Sequence, residues 1–371
     1  MAFFTKEGAQ RFLKSADIKV DGGRPWDMTI HDERIYRRIA FGGSLALGES
    51  YMDGWWDCPA LDQFFYHVAK GGLAKTAPGA GRVVRRVLEG IVNPQSKRRA
   101  FIIGEEHYDL GNDLYVAMLD KRMVYTCAYW KDAKNLDEAQ EAKLDLVCRK
   151  LGLKPGDTVL DIGCGWGSFA KFAAEKYGAH VVGVTVSKEQ AALARENCAG
   201  LPVEIRLEDY RDTVGEFDHI VSLGMMEHVG HKNYGTYIKK AHSLLKDGGF
   251  FLLHTIGGNE SEQTGDSWVN KYIFPNSMLP SITQIGRHLE RRFVMEDWHN
   301  FGADYDKTLM AWHSNFINNW DKLKGKYDDR FKRMWVYYLL LFAGFFRSRN
   351  LQLWQIVLSK RGVPGGYTSV R

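Results

Sequence analysis

Val159-Leu160-Asp161-Ile162-Gly163-Cys164-Gly165-Trp166-Gly167 decides the fold of this 371-residue chain. An apolar run with β-branched residues enters the stretch, three alternating glycines cross it, and a helical pattern leaves it at Ser168. That order reads as strand, tight turn, helix. Gly163, Gly165 and Gly167 lack the Cβ atoms that would keep the backbone from closing on a ligand. The helix behind them offers unpaired N–H groups to electron-rich atoms. The spacing is D-x-G-x-G-x-G, with an acid before the glycines. The dinucleotide fingerprint G-x-G-x-x-G instead wants its acid about 20 residues further on, at the next strand end. Here that strand, 180–184, is followed by Thr185. A glycine-rich turn alone can be purely structural, but the flanking strand and helix favour a cofactor loop.

Downstream the alternation is regular. Strand Thr158–Ile162 precedes helix Ser168–Tyr177, strand 180–184 precedes helix 188–199, and strands Val203–Leu207 and 217–222 follow. A helix at 233–245 and a strand at 249–254 come next. Such alternation predicts a parallel sheet with helices on both faces, in which ligands bind at the carboxyl ends of the strands. Upstream, a helix is expected at Leu136–Leu151, with Gly152 as its stop. Beyond His254 the chain makes a long excursion, 255–280. A helix near Ile282–Leu289, a strand at 293–297, two aromatic-rich helices at about 304–320 and 328–346 and a strand at 353–359 complete it.

Residues 1–69 read as a small accessory α/β unit: helix 3–14, strands 17–20 and 26–30 paired around Asp21-Gly22-Gly23, helix 32–39, glycine-rich turns, and helix 62–69. Residues 70–100 form a basic linker, and 101–371 the main domain. The net charge is +5, yet eight basic residues and one acid between Lys70 and Arg99 give +7, leaving −2 for the rest. Within this patch, residues 82–92 set an apolar stripe against Arg82, Arg85 and Arg86, as in a helix at an anionic membrane surface. A helix packed on the main domain with its charges in water has the same pattern. No aromatic-interleaved motif accompanies the patch, so no nucleic-acid partner is expected. The apolar run 335–346 is well short of the roughly 20 residues a membrane span needs. The N-terminus lacks a sustained apolar stretch, so no signal peptide is expected. Five cysteines without metal spacing imply reduced thiols and no structural metal.

The strand ends carry the candidate chemistry. Thr185 and Gln190 follow the second strand, with hydrogen-bonding groups but no charge. Asp209 and Tyr210 follow the third, placed for an acid to accept an amino group and an aromatic to cover a ring, unless they are only turn formers. Glu227 and His228 follow the fourth and His254 ends the fifth. His228 can equally bond a neighbour, whereas Glu227 is placed to act as a base or to bind one.

The loop at 159–167 resembles the motif of S-adenosylmethionine (SAM) methyltransferases. Seven blocks narrow the match: His107-Tyr-Asp-Leu-Gly-Asn, Tyr125-Thr-Cys-Ala-Tyr-Trp, residues 159–167, Glu227-His-Val-Gly, Leu253-His-Thr-Ile-Gly, Lys271-Tyr-Ile-Phe-Pro-Asn and the stretch from Glu296 to Asp306. In order and spacing they resemble the cyclopropane fatty acid synthase family from about residue 100 to 360. The resemblance implies a Rossmann-like class I SAM-dependent methyltransferase domain, with a seven-stranded mostly parallel sheet, behind a small N-terminal α/β domain. It implies transfer of the SAM methyl group to a cis double bond of an unsaturated phospholipid acyl chain. Loss of a proton to a bound bicarbonate then closes the ring. The nearest rival adds the methyl group without closing it. By the matching motifs the bicarbonate cradle would be Cys127, Glu227, His254, the backbone at Ile256, and Tyr305. SAM contacts would be Tyr125, Thr126, Val159, Asp161, Gly163, Cys164, Gly165, Trp166, Gly167, Thr185, Gln190, Asp209 and Tyr210. A cytoplasmic, peripheral-membrane homodimer is the family's implication.

An alkene is a poor nucleophile, so such an enzyme contributes alignment and a dry site to a sulfonium donor. Tyr129, Trp130, Phe274 and Tyr305 are candidate walls for a carbocation, through cation–π contacts. The chain departs from the family in two places. Thr126 stands where serine is usual, which keeps the hydroxyl. Some descriptions of the family place a nucleophilic cysteine near the C-terminus, but no cysteine follows Cys198 and Phe342 falls in that region.

Overall fold

The computed structural model describes residues 5–73 and 111–371. The basic 82–92 stretch and the start of the His107 block lie outside the described residues. The described chain groups into two compact units. One gathers residues 5–73, Gln263–Pro275 and Tyr305–Leu351. The other gathers residues 111–262, Asn276–Asp304 and Gln352–Arg371. Residues 101–371 therefore contribute to both.

In the first unit, β1 (Thr29–Ile30) pairs antiparallel with β2 (Trp56–Asp57). The hairpin expected around Asp21-Gly22-Gly23 is thus corrected: only a single parallel bridge joins Val20 to Met28. The turn instead folds around the buried carboxylate of Asp27, which accepts from the backbone N–H groups of Lys19 (2.8 Å) and Arg24 (3.0 Å). A second correction concerns Gly42-Gly43, expected in a turn. The helix Arg34–Met52 continues through them, with one non-helical residue, Gly43 (φ 56°, ψ −134°), marking a kink. Only glycine adopts that conformation without strain.

The apolar run 335–346 belongs to the helix Asp329–Arg347, whose Trp335, Tyr337, Tyr338, Leu339, Ala343 and Phe346 are buried. This helix lies against Leu61–Lys70 at Gly344, where a Cβ would sit 2.5 Å from the carbonyl oxygen of Asp62. Trp268 reaches the same core at Gly48, with its ring 4.5 Å from that of Tyr337. No helix among the described residues is long and apolar enough to cross a membrane.

The second unit is built on a seven-stranded sheet. Its strands are β3 (Thr158–Ile162), β4 (His180–Thr185), β5 (Val203–Leu207), β6 (Phe217–Leu223), β7 (Leu245–Gly258), β8 (Val294–Asn300) and β9 (Leu351–Ser359). They run in the order β5-β4-β3-β6-β7-β9-β8. β5 to β7 pair in parallel and β8 pairs antiparallel with β9. Strand alternation sorts side chains to two faces. Val159, Val181, Val221, Leu252 and Val357 meet Leu144, Val147, Phe169 and Ala173 of the helices Leu136–Leu151 and Ser168–Tyr177. Leu160, Ile162, Ile220, Phe251, Leu253 and Ile356 meet Tyr237, Ile238 and Ala241 of Tyr234–Leu244 on the other face. Burying each such side chain contributes about 1.5–3 kcal/mol, so both faces hold the sheet rigid beneath its carboxyl ends. The helix Leu136–Leu151 is fixed at both ends: Asn135 accepts from Glu138 N–H, and Gly152 (φ 64°) closes it in the left-handed region.

Candidate active site

The turn after β3 places Gly163, Gly165 and Gly167 at φ of 82°, 55° and 81°. The N–H groups of Gly163 and Cys164 both donate to the Val184 carbonyl, at 2.9 and 3.0 Å, tying the loop to the end of β4. A Cβ at Gly163 would press on Met225, at 3.1 Å, whereas one at Gly165 would meet nothing within 4 Å. Gly165 thus borders open space. That space is a cavity at the carboxyl ends of the strands.

Eleven of the thirteen residues expected at the cofactor line this cavity: Tyr125, Thr126, Asp161, Gly163, Cys164, Gly165, Trp166, Thr185, Gln190, Asp209 and Tyr210. Val159 and Gly167 do not: Val159 packs in the apolar core, and Gly167 caps the helix Ser168–Tyr177. Thr185 Oγ1 lies 3.0 Å from Gln190 Oε1, to which it donates. Asp209 is bracketed by its neighbour Arg211, whose Nε and Nη2 donate at 2.7 and 2.6 Å. The Tyr210 ring is backed by Tyr237 at 5.3 Å. Asp161 is buried, its Oδ2 has no hydrogen-bond partner among the described residues, and desolvation pushes its carboxyl up to about 7.

Beyond the cavity wall, two strand ends bring Glu227 and Ile256 together. Glu227 sits on the one-turn helix Met226–Val229 after β6, and its Oε1 accepts from the Ile256 N–H of β7 at 2.7 Å. Its Oε2 is buried without a partner among the described residues, and desolvation pushes the carboxyl up to about 7. His254 lies two residues before Ile256. Gln355 approaches its Nδ1 at 3.3 Å, while Nε2 is buried without a partner among the described residues. Burial holds this imidazole well below its ordinary pKa, helped by Lys143 and Lys150, so it is neutral. Cys127 is fully buried, with its Sγ 3.2 Å from the Ala128 carbonyl. His228 lines the cavity, its pKa pushed down to about 4 by burial. Tyr129 packs on Phe301 at 5.3 Å, and the Trp130 N–H donates to Asp304. Tyr305 and Phe274 belong to the other unit, where Tyr305 lies 4.5 Å from Phe346 and Phe274 packs on Tyr338.

Residues 95–356 match the protein family described as mycolic acid cyclopropane synthetase. The chain belongs to this family. It is 53% identical to the cyclopropane-fatty-acyl-phospholipid synthase of Escherichia coli (strain K12) over 98% of this chain and 95% of that one. A solved cyclopropane synthase of Mycobacterium tuberculosis is 30% identical, with a TM-score of 0.66, over 70% of this chain and 98% of that chain. A mycolic acid cyclopropane synthase, solved as a complex with SAH and CTAB, is 34% identical with a TM-score of 0.65 over the same shares. The Rossmann-like fold of class I SAM methyltransferases is thereby established for this cyclopropane synthetase family member.

Sequence reading missed several cavity residues of this family member, among them Lys143, Arg211 and Met225. Lys143 had a signal: it shares the helical stripe of Leu136, Ala139, Gln140, Val147 and Lys150, all of them buried. Lys150 Nζ lies 3.0 Å from His299 Nδ1 and 3.9 Å from Asp297. Burial brings its pKa down to about 7 from 10.5, with Asp297 opposing the shift and Arg371 and Arg149 adding to it. Between those values the unfolded chain holds a proton that the folded chain does not, so stability from this group rises with pH from about 7 to 10.5 and, as pH falls, is lost across that window and gone below about 7. Lys150→Met is therefore expected to shrink the gain in melting temperature between about pH 6.5 and about pH 9.5. Thermal denaturation at the two pH values checks it, and an unchanged gain would refute it.

Proposed function

We propose that this protein transfers the methyl group of SAM to the cis double bond of an unsaturated phospholipid acyl chain and closes a cyclopropane ring. The observation that carries this reading is the pair Glu227 and His254. Both are buried, Glu227 just after β6 and His254 within β7 opposite Leu223, the last residue of β6; each keeps one atom without a partner among the described residues, and both stand next to elements that line the cavity. Ring closure needs a group to receive a proton in a dry site.

The cavity suits the donor. Its glycine turn leaves room for a ligand at Gly165, and Thr185, Gln190, Asp209 and Tyr210 border it with hydrogen-bonding and aromatic groups. Bicarbonate fits the orphaned atoms on the other side: Glu227 Oε2 and His254 Nε2 would hold it, beside Cys127, with the Ile256 N–H steering Glu227. When bound it would supply the acceptor for the ring-closing proton. Glu227, neutral below about 7, would share a proton with the anion rather than repel it. Tyr305 joins this set by the resemblance alone.

We read the basic stretch at 82–92 as the contact with an anionic membrane surface on the cytoplasmic face, with residues 1–69 assisting. A homodimer and the absence of a nucleic-acid partner complete the proposal. Incubation of the purified protein with SAM and unsaturated phospholipid vesicles tests it. Mass spectrometry should find acyl chains that gained one CH₂ and match a cyclopropane standard. A methyl-branched product would favour transfer without ring closure, and unchanged lipid would end the proposal.

A further inference from the structure

The helix Leu136–Leu151 carries an ammonium group into the cavity. Lys143 has no solvent exposure, lines the cavity, and donates from Nζ to Thr126 Oγ1 at 2.9 Å. Three residues earlier, Gln140 donates from Nε2 to the carbonyl oxygens of Thr126 (2.8 Å) and Val124 (3.2 Å). The pair fastens the segment 124–126 to the helix and aligns the ammonium with it.

Asp161 faces the same side. Alternation along β3 points it with Val159 towards the sheet face that the helix Leu136–Leu151 covers. Both charges border one cavity, yet no ion pair joins them, and Asp161 Oδ2 has no partner among the described residues. Buried opposite charges that stop short of each other are costly unless something between them completes both. The complement is a ligand end with a carboxylate and an ammonium on one carbon. SAM carries such an end, the α-amino acid of its methionine part.

We propose that Lys143 binds the α-carboxylate of the methyl donor, while Asp161 takes its α-ammonium, so that the two clamp the donor's amino-acid end. The assignment rests on the reading of this cavity as the SAM site and adds the group that recognises the donor's negative end. Burial lowers the Lys143 pKa to about 8, opposed by Asp120, Cys127 and Asp161, the groups that face it. The Lys143 arm of the clamp therefore carries most of its charge at neutral pH and loses it above about 8.

Two nucleosides separate this role from a merely structural one. S-adenosylhomocysteine has the amino-acid end and methylthioadenosine lacks it. In calorimetric titrations of the full chain, Lys143→Met is expected to weaken S-adenosylhomocysteine binding by about 10- to 100-fold, as for loss of a charge-assisted hydrogen bond. Methylthioadenosine should bind within about twofold of wild type. The wild-type protein gives a second measurement, independent of how the variant folds. Its affinity for S-adenosylhomocysteine should fall from about pH 7 to about pH 9, while that for methylthioadenosine stays level. Equal losses for both ligands in Lys143→Met, no loss for either, or a level pH profile for S-adenosylhomocysteine would overturn the assignment. A wild-type protein that bound neither nucleoside would overturn the donor site itself, and this assignment with it.

Discussion

Glu227→Gln is expected to reduce ring formation by about 10²–10⁴-fold, the range for loss of a positioned acid–base group, while S-adenosylhomocysteine still binds within about twofold. The amide oxygen of glutamine can still accept from the Ile256 N–H that now meets Oε1 at 2.7 Å, so the strand ends stay joined. What disappears is Oε2, the buried oxygen without a partner among the described residues. An NH₂ group there cannot receive or share a proton. Because desolvation has pushed the Glu227 carboxyl up to about 7, wild-type activity should change with pH around that value, and Glu227→Gln should lose that limb. Initial rates from lipid mass spectrometry, paired with ligand titration, measure both parts. A variant that kept its turnover would remove Glu227 from the chemistry.

A larger structural effect is expected from a single methyl group at Gly257. A Cβ there would lie 2.0 Å from Cζ3 and 2.2 Å from Cη2 of Trp354, a ring that is 1% exposed. In Gly257→Ala either the indole must swing out of the core or β7 must move, and β7 carries His254 and Ile256. Overpacking of this kind costs about 1–3 kcal/mol, occasionally more. The melting temperature should drop by several degrees and activity by about 10²-fold, the scale for a misplacement of about 1 Å at a reacting centre. Trp354→Phe removes the offending atoms, so the double variant should regain much of both losses. Failure of that rescue would show that the contact is not what positions β7.

The parts of the fold written in local pattern were legible. β3, the helix Ser168–Tyr177, β5 and the helix Ile282–Leu289 begin and end where the apolar runs and capping residues say. Ser281 even forms a reciprocal capping box with Gln284. What local pattern does not contain is the choice of partner. Thr29 pairs with Asp57 rather than within its own hairpin, and Trp268 sits at Gly48, because those contacts are decided by distant chain. The site divides in the same way. Strand-end positions such as Thr185, Gln190, Glu227 and His254 follow from topology, so they could be read. The grip of Arg211 on Asp209 depends on side-chain direction, and hydropathy alone assigns Lys143 and Lys150 to solvent although their helical period places them inside.

The unit that holds the N-terminal residues draws its remaining helices from the last third of the chain. On the ribosome, the helix Leu61–Lys70 emerges long before Gly344, the glycine that lets the helix Asp329–Arg347 close against it. At roughly 5–20 residues per second, that interval is about 15–55 seconds. Phe64 and Phe65 must wait through it without their final cover, while β3 to β8 of the other unit are translated. The order of synthesis thus leaves these two rings as uncovered apolar surface on the nascent chain, a condition that favours aggregation.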